Sequence, residues 1–291
     1  MKDEKYRIYI VALLFTMLVW AGSFISIKIG LREVKPYNLA FYRFALASPI
    51  LFLAVYLKKR LQRIKVKDLV YFIALALTGV TLLYTVQFVA LLYTTATNSS
   101  ILINTSVIFV AFMSFFLGEK FTKLKSAGVC LSFIGMVLII SKGKLEFFGS
   151  KTFVGDALMV FDGFLWASYT ILGKNMLEKY NPDTLTTYAF AIGSILLFPF
   201  ALFEGIANPF SLSITAWLSI VYLSLLCSVF AYMIWYSALR VMDATKVAVF
   251  VYIIPLFTAI MAFFVLGEEI DIFTALGGAL IMLGVYLVER F

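Results

Sequence analysis

Apolar runs broken by charges, glycine and proline follow one another along the chain. Each is close to the roughly 20 residues that an α-helix needs to cross about 30 Å of hydrocarbon. They predict helical spans near 8–30, 38–57, 69–92, 97–117, 123–141, 154–177, 184–203, 214–238, 246–266 and 272–289. The third and fourth runs are nearly continuous. The small polar stretch Thr94-Thr95-Ala96-Thr97-Asn98 divides them, because such residues favour turns and caps over helix interiors. The expected fold class is therefore an all-α integral membrane protein of ten transmembrane helices.

Composition agrees. Of 291 residues, 63% are hydrophobic and 14% charged, and the mean hydropathy is +1.00. Soluble domains run at roughly 45–50% apolar and 25% charged. The charge of +8 does not point to nucleic acid, since the basic residues sit in short runs between apolar segments and read as orientation signals. With a cytoplasmic N-terminus, the inside segments carry Lys2, Lys5, Arg7, the cluster Lys58 to Lys67, Lys120, Lys123, Lys125, Lys174, Lys179, Arg240, Lys246 and Arg290. The outside segments carry Arg32, Lys35, Lys142, Lys144 and Lys151. Both termini are expected in the cytoplasm, with the chain in the plasma membrane. The run from Ile8 to Leu31 is too long for a signal-peptide core and is read as an uncleaved first helix.

Several chemistries are excluded. There is no histidine, which removes zinc peptidases and histidine-ligated haem and leaves scattered serines such as Ser23 and Ser99 without a base. Cys130 and Cys227 fall inside apolar runs, where a disulfide framework is not expected. No Walker-type phosphate loop is present, so ATP drive is not expected. No metal and no cofactor are expected.

The chain also repeats itself. At an offset of 146, Trp20-Ala21 matches Trp166-Ala167, Lys28 matches Lys174, Pro36 matches Pro182, Tyr42 matches Tyr188 and Phe44 matches Phe190. After two inserted residues Tyr84 matches Tyr232, Ala90-Leu91 matches Ala238-Leu239, and Ala96-Thr97 matches Ala244-Thr245. One more insertion aligns Leu117-Gly118-Glu119 with Leu266-Gly267-Glu268, Gly128 with Gly277 and Gly135 with Gly284. The halves, 8–141 and 154–289, each hold five spans. An odd number makes the second half enter the membrane from the opposite side, the inverted repeat of transporters that bind substrate near the midplane.

Trp-Ala in the first span, Arg43 in the second, Gly155-Asp156 opening the sixth and Leu-Gly-Glu closing the fourth and ninth resemble the EamA family of the drug/metabolite transporter superfamily. The resemblance covers nearly the whole chain and implies export or exchange of small metabolites, such as amino acids and their derivatives, without ATP hydrolysis. Many members carry proline in the fourth span; here Ser106 stands opposite Pro255 of the ninth, which puts a shared kink in doubt.

Two charges lie inside spans. Arg43 is read either as an anchor for a substrate carboxylate or phosphate, or as a structural cation that snorkels or pairs with an acid. Asp162 sits deeper in its span than Asp156, which suits the start of a helix, and is the candidate proton site. Pairing of Asp162 with Arg43 would reconcile both with the membrane. Trp20, Tyr84, Gln87, Asn104, Trp166, Tyr169, Tyr232, Trp235 and Tyr252 lie within spans. As a group they suit an apolar small-molecule pocket with a few polar groups; singly, each also suits ordinary packing. Lys28 and Lys174, near span ends, are expected to snorkel. Glu119 and Glu268 read as helix-end residues, and Thr122 and Asp271 as N-caps. Gly128 with Gly135, and Gly277 with Gly284, permit close helix approach, within each half or between two copies in a homodimer. The function expected is a secondary exporter of amino acids or related organic acids. The alternatives are a nucleotide-sugar or sugar-phosphate exchanger, an intramembrane lipid-modifying protein or an assembly subunit.

Overall fold

The computed structural model describes residues 2–115, 122–141, 152–267 and 272–290. Leu117-Gly118-Glu119, Lys120, Lys142, Lys144, Lys151, Glu268 and Asp271 lie outside the described residues. Within them all regular structure is helical. The first half holds α1 (Lys2–Gly30), α2 (Pro36–Leu57), α3 (Leu69–Ala76), α4 (Leu82–Tyr93), α5 (Ala96–Leu102), α6 (Thr105–Phe115) and α7 (Lys123–Ser141). The second holds α8 (Phe153–Met176), α9 (Pro182–Glu204), α10 (Ile214–Ser224), α11 (Ala231–Val241), α12 (Ala244–Val249), α13 (Ile254–Leu266) and α14 (Ile272–Arg290).

Among the described residues, seven stretches are long and apolar enough to cross a membrane: Arg7–Gly30, Pro36–Leu57, Val66–Tyr93, Ala96–Ser114, Pro182–Glu204, Ile214–Val241 and Ala244–Leu266. Helices α7, α8 and α14 are further long helices, and α8 is thinned in apolar content by Asp156, Asp162 and Lys174. Large apolar side chains such as Leu53, Ile195, Phe203, Leu218 and Phe264 face outward, as a lipid-facing surface requires.

Helix boundaries follow local chemistry. The equivalent prolines Pro36 and Pro182 start α2 and α9, where a missing N–H costs nothing; the expected starts at 38 and 184 fall two residues late. Between α4 and α5 the Thr95 side chain accepts from the Asn98 N–H at 2.9 Å, so the break falls in the Thr94–Asn98 stretch. Thr122 caps α7 through the Lys125 N–H at 3.1 Å. Gly267 ends α13 with φ +71°, a left-handed conformation that glycine adopts without strain.

The fourth span breaks even without proline. Asn104 Nδ2 donates to the Ser100 carbonyl at 2.7 Å and Thr105 Oγ1 to that of Leu102 at 2.8 Å, while the Asn104, Ser106 and Val107 N–H groups bond three residues back. Polar side chains competing for backbone acceptors tighten the turn between α5 and α6. In the ninth span a 3₁₀ turn, Phe250–Ile253, precedes Pro255. Both halves therefore share a broken helix, which the Ser106–Pro255 mismatch had put in doubt.

The halves interlock. Helix α1 packs mainly on α10, α11 and α13, and its equivalent α8 on α4, α5 and α6. Equivalent pairs also meet directly, α2 with α9 and α7 with α14. A Cβ on Gly284 would lie 2.4 Å from the Gly128 carbonyl and 2.0 Å from Ser132 Oγ. These glycines therefore seat α14 of the second half on α7 of the first, a contact between the halves of one chain rather than within each.

Candidate functional site

The third and eighth spans each contain a π-helical turn, Leu77–Thr81 and Leu225–Phe230, at positions that the 148-residue offset makes equivalent. An extra residue in a turn shifts the hydrogen-bond ladder and lends carbonyls to other donors. Both turns are used so. The Cys227 carbonyl accepts from Trp20 Nε1 at 2.9 Å, and its equivalent, the Gly79 carbonyl, accepts from the Tyr232 hydroxyl at 2.9 Å. Gly79 must lack a side chain, because a Cβ would fall 2.0 Å from the Tyr169 ring.

Equivalent aromatics meet between these turns. Trp20 and Trp166 pack edge to face with centroids 5.2 Å apart, and the Tyr84 and Tyr232 hydroxyls are 2.7 Å apart. Trp235 lies 5.5 Å from Trp20 and 5.1 Å from Trp166. Tyr169 bridges Trp166 to Tyr236. Tyr236, fully buried, was not singled out from sequence; its equivalent is Phe88, so the aromatic position was legible even though the hydroxyl was not paired.

This stack borders a cavity of about 430 Å³, its opening included, lined by Trp20, Ser23, Phe24, Arg43, Leu83, Tyr84, Gln87, Ile103, Trp166, Val251 and Ile254. Both halves contribute, and both helix breaks border it through Ile103 and Val251. Of the residues expected there, Trp20, Arg43, Tyr84, Gln87 and Trp166 line it. Tyr169, Tyr232 and Trp235 form the aromatic layer in contact with Trp166. Asn104 is held in the α5–α6 break, and Tyr252 is buried in the 3₁₀ turn beside Val251.

Arg43 is 1% exposed. Its Nε donates to Ser228 Oγ at 2.7 Å and its Nη2 to the Tyr84 hydroxyl at 3.0 Å, with the guanidinium 4.0 Å from the Tyr84 ring centroid. Ser228 sits in the second π-turn and donates onward to the Leu223 carbonyl. Its equivalent is Val80, so the repeat could not flag it. Asp162 is fully buried; one carboxylate oxygen accepts from Gln87 Nε2 at 2.9 Å and the other has no partner among the described residues. The expected Arg43–Asp162 ion pair does not form. The guanidinium is turned to Ser228 and Tyr84, and the carboxylate is joined to the cavity wall by its bond from Gln87.

Lys28 and Lys174 do not snorkel. Lys28 Nζ donates to the Thr94 carbonyl at 2.6 Å, and Lys174 Nζ to those of Leu239 and Met242 at 2.6 Å each. Cations at the carbonyl ends of α4 and α11 complement the helix dipole, and Thr94 and Met242 are themselves equivalent. Asp156 Oδ1 accepts from Thr94 Oγ1 at 2.7 Å.

Polar contacts tie loops and helix ends of the two halves together. At one end Asn38 binds Glu204, Gly205 and Ala207, the Tyr42 hydroxyl binds the Ala207 carbonyl, and Glu33 accepts from the Ser213 hydroxyl and N–H. Those bonds, the hydroxyl's first, hold the Glu33 carboxyl below its ordinary value. At the other end Lys179 and the Tyr180 hydroxyl bind Asp68, and Arg60 pairs with Asp183.

A family model described as the EamA-like transporter family matches residues 7–141 and again 153–290. An "Uncharacterized transporter" of Archaeoglobus fulgidus is 58% identical over 275 residues, 94% of this chain and 95% of its own. A "Probable terminal-alkyne amino-acid exporter" of Streptantibioticus cattleyicolor is 27% identical over 282 residues, 96% of this chain and 92% of its own. A solved crystal structure at 17% identity has the same fold, with a TM-score of 0.77 over 96% of this chain and 97% of that one. Matched twice by the family model along almost its whole length, this multi-pass membrane protein belongs to the EamA-like transporter family.

Proposed function

We propose that the protein is a secondary exporter of amino acids or related organic acids, working by alternating access around the cavity between its halves. In this reading α7, α8 and α14 also cross the bilayer, making ten spans in two halves of opposite orientation. Both termini lie in the cytoplasm, the bilayer is the plasma membrane, and the protein performs no chemistry on its cargo.

One observation carries the proposal: a buried guanidinium lines an aromatic-walled cavity and is bound only by the neutral hydroxyls of Ser228 and Tyr84 among the described residues. Arginine has five N–H donors in a fork that matches a carboxylate. The aromatic walls suit the apolar part of an amino acid, and their faces attract its ammonium group. The exporter name of the Streptantibioticus relative is consistent with this cargo. The sugar-phosphate alternative is less well served, because Arg43 is the buried arginine on the cavity wall.

Counterflow in proteoliposomes tests it: vesicles loaded with one unlabelled amino acid at a time should draw in the same labelled compound, and the decarboxylated amines should give none. Equal uptake of acid and amine would remove Arg43 as the anchor. No counterflow of any amino or organic acid would overturn the proposal.

A further inference from the structure

Asp162 is an acid that a carboxylate-binding cavity does not require. It sits on α8 one turn before Trp166, a cavity wall residue, and Gln87 stands on the cavity wall while donating to it. That single neutral bond, to one of two oxygens, is what compensates a fully buried carboxyl. A lone ionised carboxylate is not tolerated in such surroundings without a cation or several donors.

The elements packed on α8 bring neither. Among described residues α5, α6 and the π-turn Leu77–Thr81 carry no charged or titratable side chain, and α3 carries only exposed Tyr71. Helix α4 presents Tyr84, whose hydroxyl is held by Arg43 and Tyr232, and exposed Tyr93. Helix α11 carries Tyr232 and Tyr236, bonded to the Gly79 and Tyr169 carbonyls, and exposed Arg240; α12 carries Lys246, which is half-buried. On α8 itself Asp156 is bound by Thr94 and Lys174 by the α11 carbonyls, and the buried Tyr169 hydroxyl bonds to no group among the described residues.

We infer that Asp162 is a proton-binding site linked to the cavity through Gln87, and that the protein exchanges this proton for its cargo. In the conformation described here the carboxyl is neutral, with the proton on the oxygen that Gln87 does not bind. When the cavity opens to water and the cargo engages the Gln87 amide, the O–H bond of Asp162 breaks. Its proton passes to a water molecule and leaves as hydronium, and the electron pair stays on the carboxylate. On the other side of the membrane the cycle reverses. The exchange rests on the transport reading above; the proton site does not.

Infrared spectroscopy of the purified protein in phospholipid vesicles tests the site without any substrate. Near neutral pH it should show a protonated-carboxyl C=O band that exchanges slowly with deuterium. The band should vanish in Asp162→Asn and move to higher frequency in Gln87→Met, which removes the hydrogen bond but keeps the acid. No such band in the wild type, its survival in Asp162→Asn, an unshifted band in Gln87→Met, or its loss on replacing potassium by sodium would each overturn the site. If Asp162→Asn does not fold, the Gln87→Met shift decides.

For the exchange, vesicles with an imposed pH gradient and an internal pH dye receive a mixture of the proteinogenic amino acids. Wild type should dissipate the gradient, and Asp162→Asn should move far fewer protons per labelled amino acid taken up, whatever its rate of counterflow. Counterflow in wild type with the gradient unmoved overturns the exchange while leaving transport standing. Absent counterflow overturns the transport reading instead, with the infrared band still deciding the proton site.

Discussion

Replacing Arg43 with methionine separates the two roles that its burial allows. The guanidinium donates charge-assisted hydrogen bonds at 2.7 and 3.0 Å, each contributing about 1.5–3 kcal/mol. It also faces the Tyr84 ring at 4.0 Å, a desolvated cation–π contact of about 2 kcal/mol. Against these stands the loss of hydration of a cation that is 1% exposed, an effective penalty of about several kcal/mol. The terms nearly cancel. Methionine fills most of the same volume without a charge, so Arg43→Met should change stability by no more than about 2 kcal/mol in either direction. Its effect on a carboxylate cargo should be far larger, because a buried charged partner is removed: a loss of about 3 kcal/mol, some hundred-fold in kcat/KM. Fluorescence-detected thermal melts in detergent and counterflow in vesicles read the two quantities on one preparation. A large drop in Tm with transport per folded molecule intact would refute the reasoning and make Arg43 a structural cation.

Gly284→Ala should destabilise the protein by about 1–3 kcal/mol through overpacking against Gly128 and Ser132, whereas Gly278→Ala, where nothing lies within 4 Å, should be neutral or slightly stabilising; equal melting temperatures would refute the α7–α14 seat. Lys174→Met strips donors from the Leu239 and Met242 carbonyls and should cost about 1–3 kcal/mol, seen as faster hydrogen exchange at the end of α11 and unchanged exchange at the end of α4. Because the Glu33 carboxyl is held below its ordinary value, its bonds to Ser213 are fully present above the usual carboxylate range and are lost as pH falls through the lowered value. Exchange protection of the Ser213 amide should therefore collapse only in acid, and Glu33→Gln should abolish that pH dependence.

Apolar runs and polar breaks located the helical stretches to within a few residues, because span length and capping are local properties. Thr95 and Thr122 bind the backbone three residues on, an arrangement that sequence spacing states directly. The aromatic layer was legible for a different reason: Trp20 and Trp166, and Tyr84 and Tyr232, are equivalent by the repeat, and these counterparts meet directly. What could not be read was direction. Whether Arg43 turns toward Asp162 or toward Ser228 depends on a π-turn in another helix that no local propensity announces. Lys28 and Lys174 look like snorkelling residues in one dimension because they stand near span ends. Only the packing of α1 beside α4, and of α8 beside α11, offers them backbone carbonyls as partners.

The division between paired and unpaired features bears on mechanism. Both π-turns, both broken helices, both lysine-bound helix ends and the Trp20–Trp166 and Tyr84–Tyr232 contacts occur in equivalent places. In the proposed inverted-repeat mechanism, alternating access amounts to the halves exchanging conformations, so whatever moves must exist in both. Recognition is under no such constraint, since one cargo occupies one cavity. The cavity chemistry is accordingly asymmetric: the repeat equivalent of Arg43 is Ala189, that of Gln87 is Trp235, and that of Asp162 is Thr16, which donates to the Ala12 carbonyl of its own helix. The symmetric residues are thus the parts expected to set the rate of interconversion, and Arg43, Gln87 and Asp162 the parts expected to set what is carried and what is exchanged for it. Substitution in the first group should slow every cargo alike. Substitution in the second should change the ratio between cargoes.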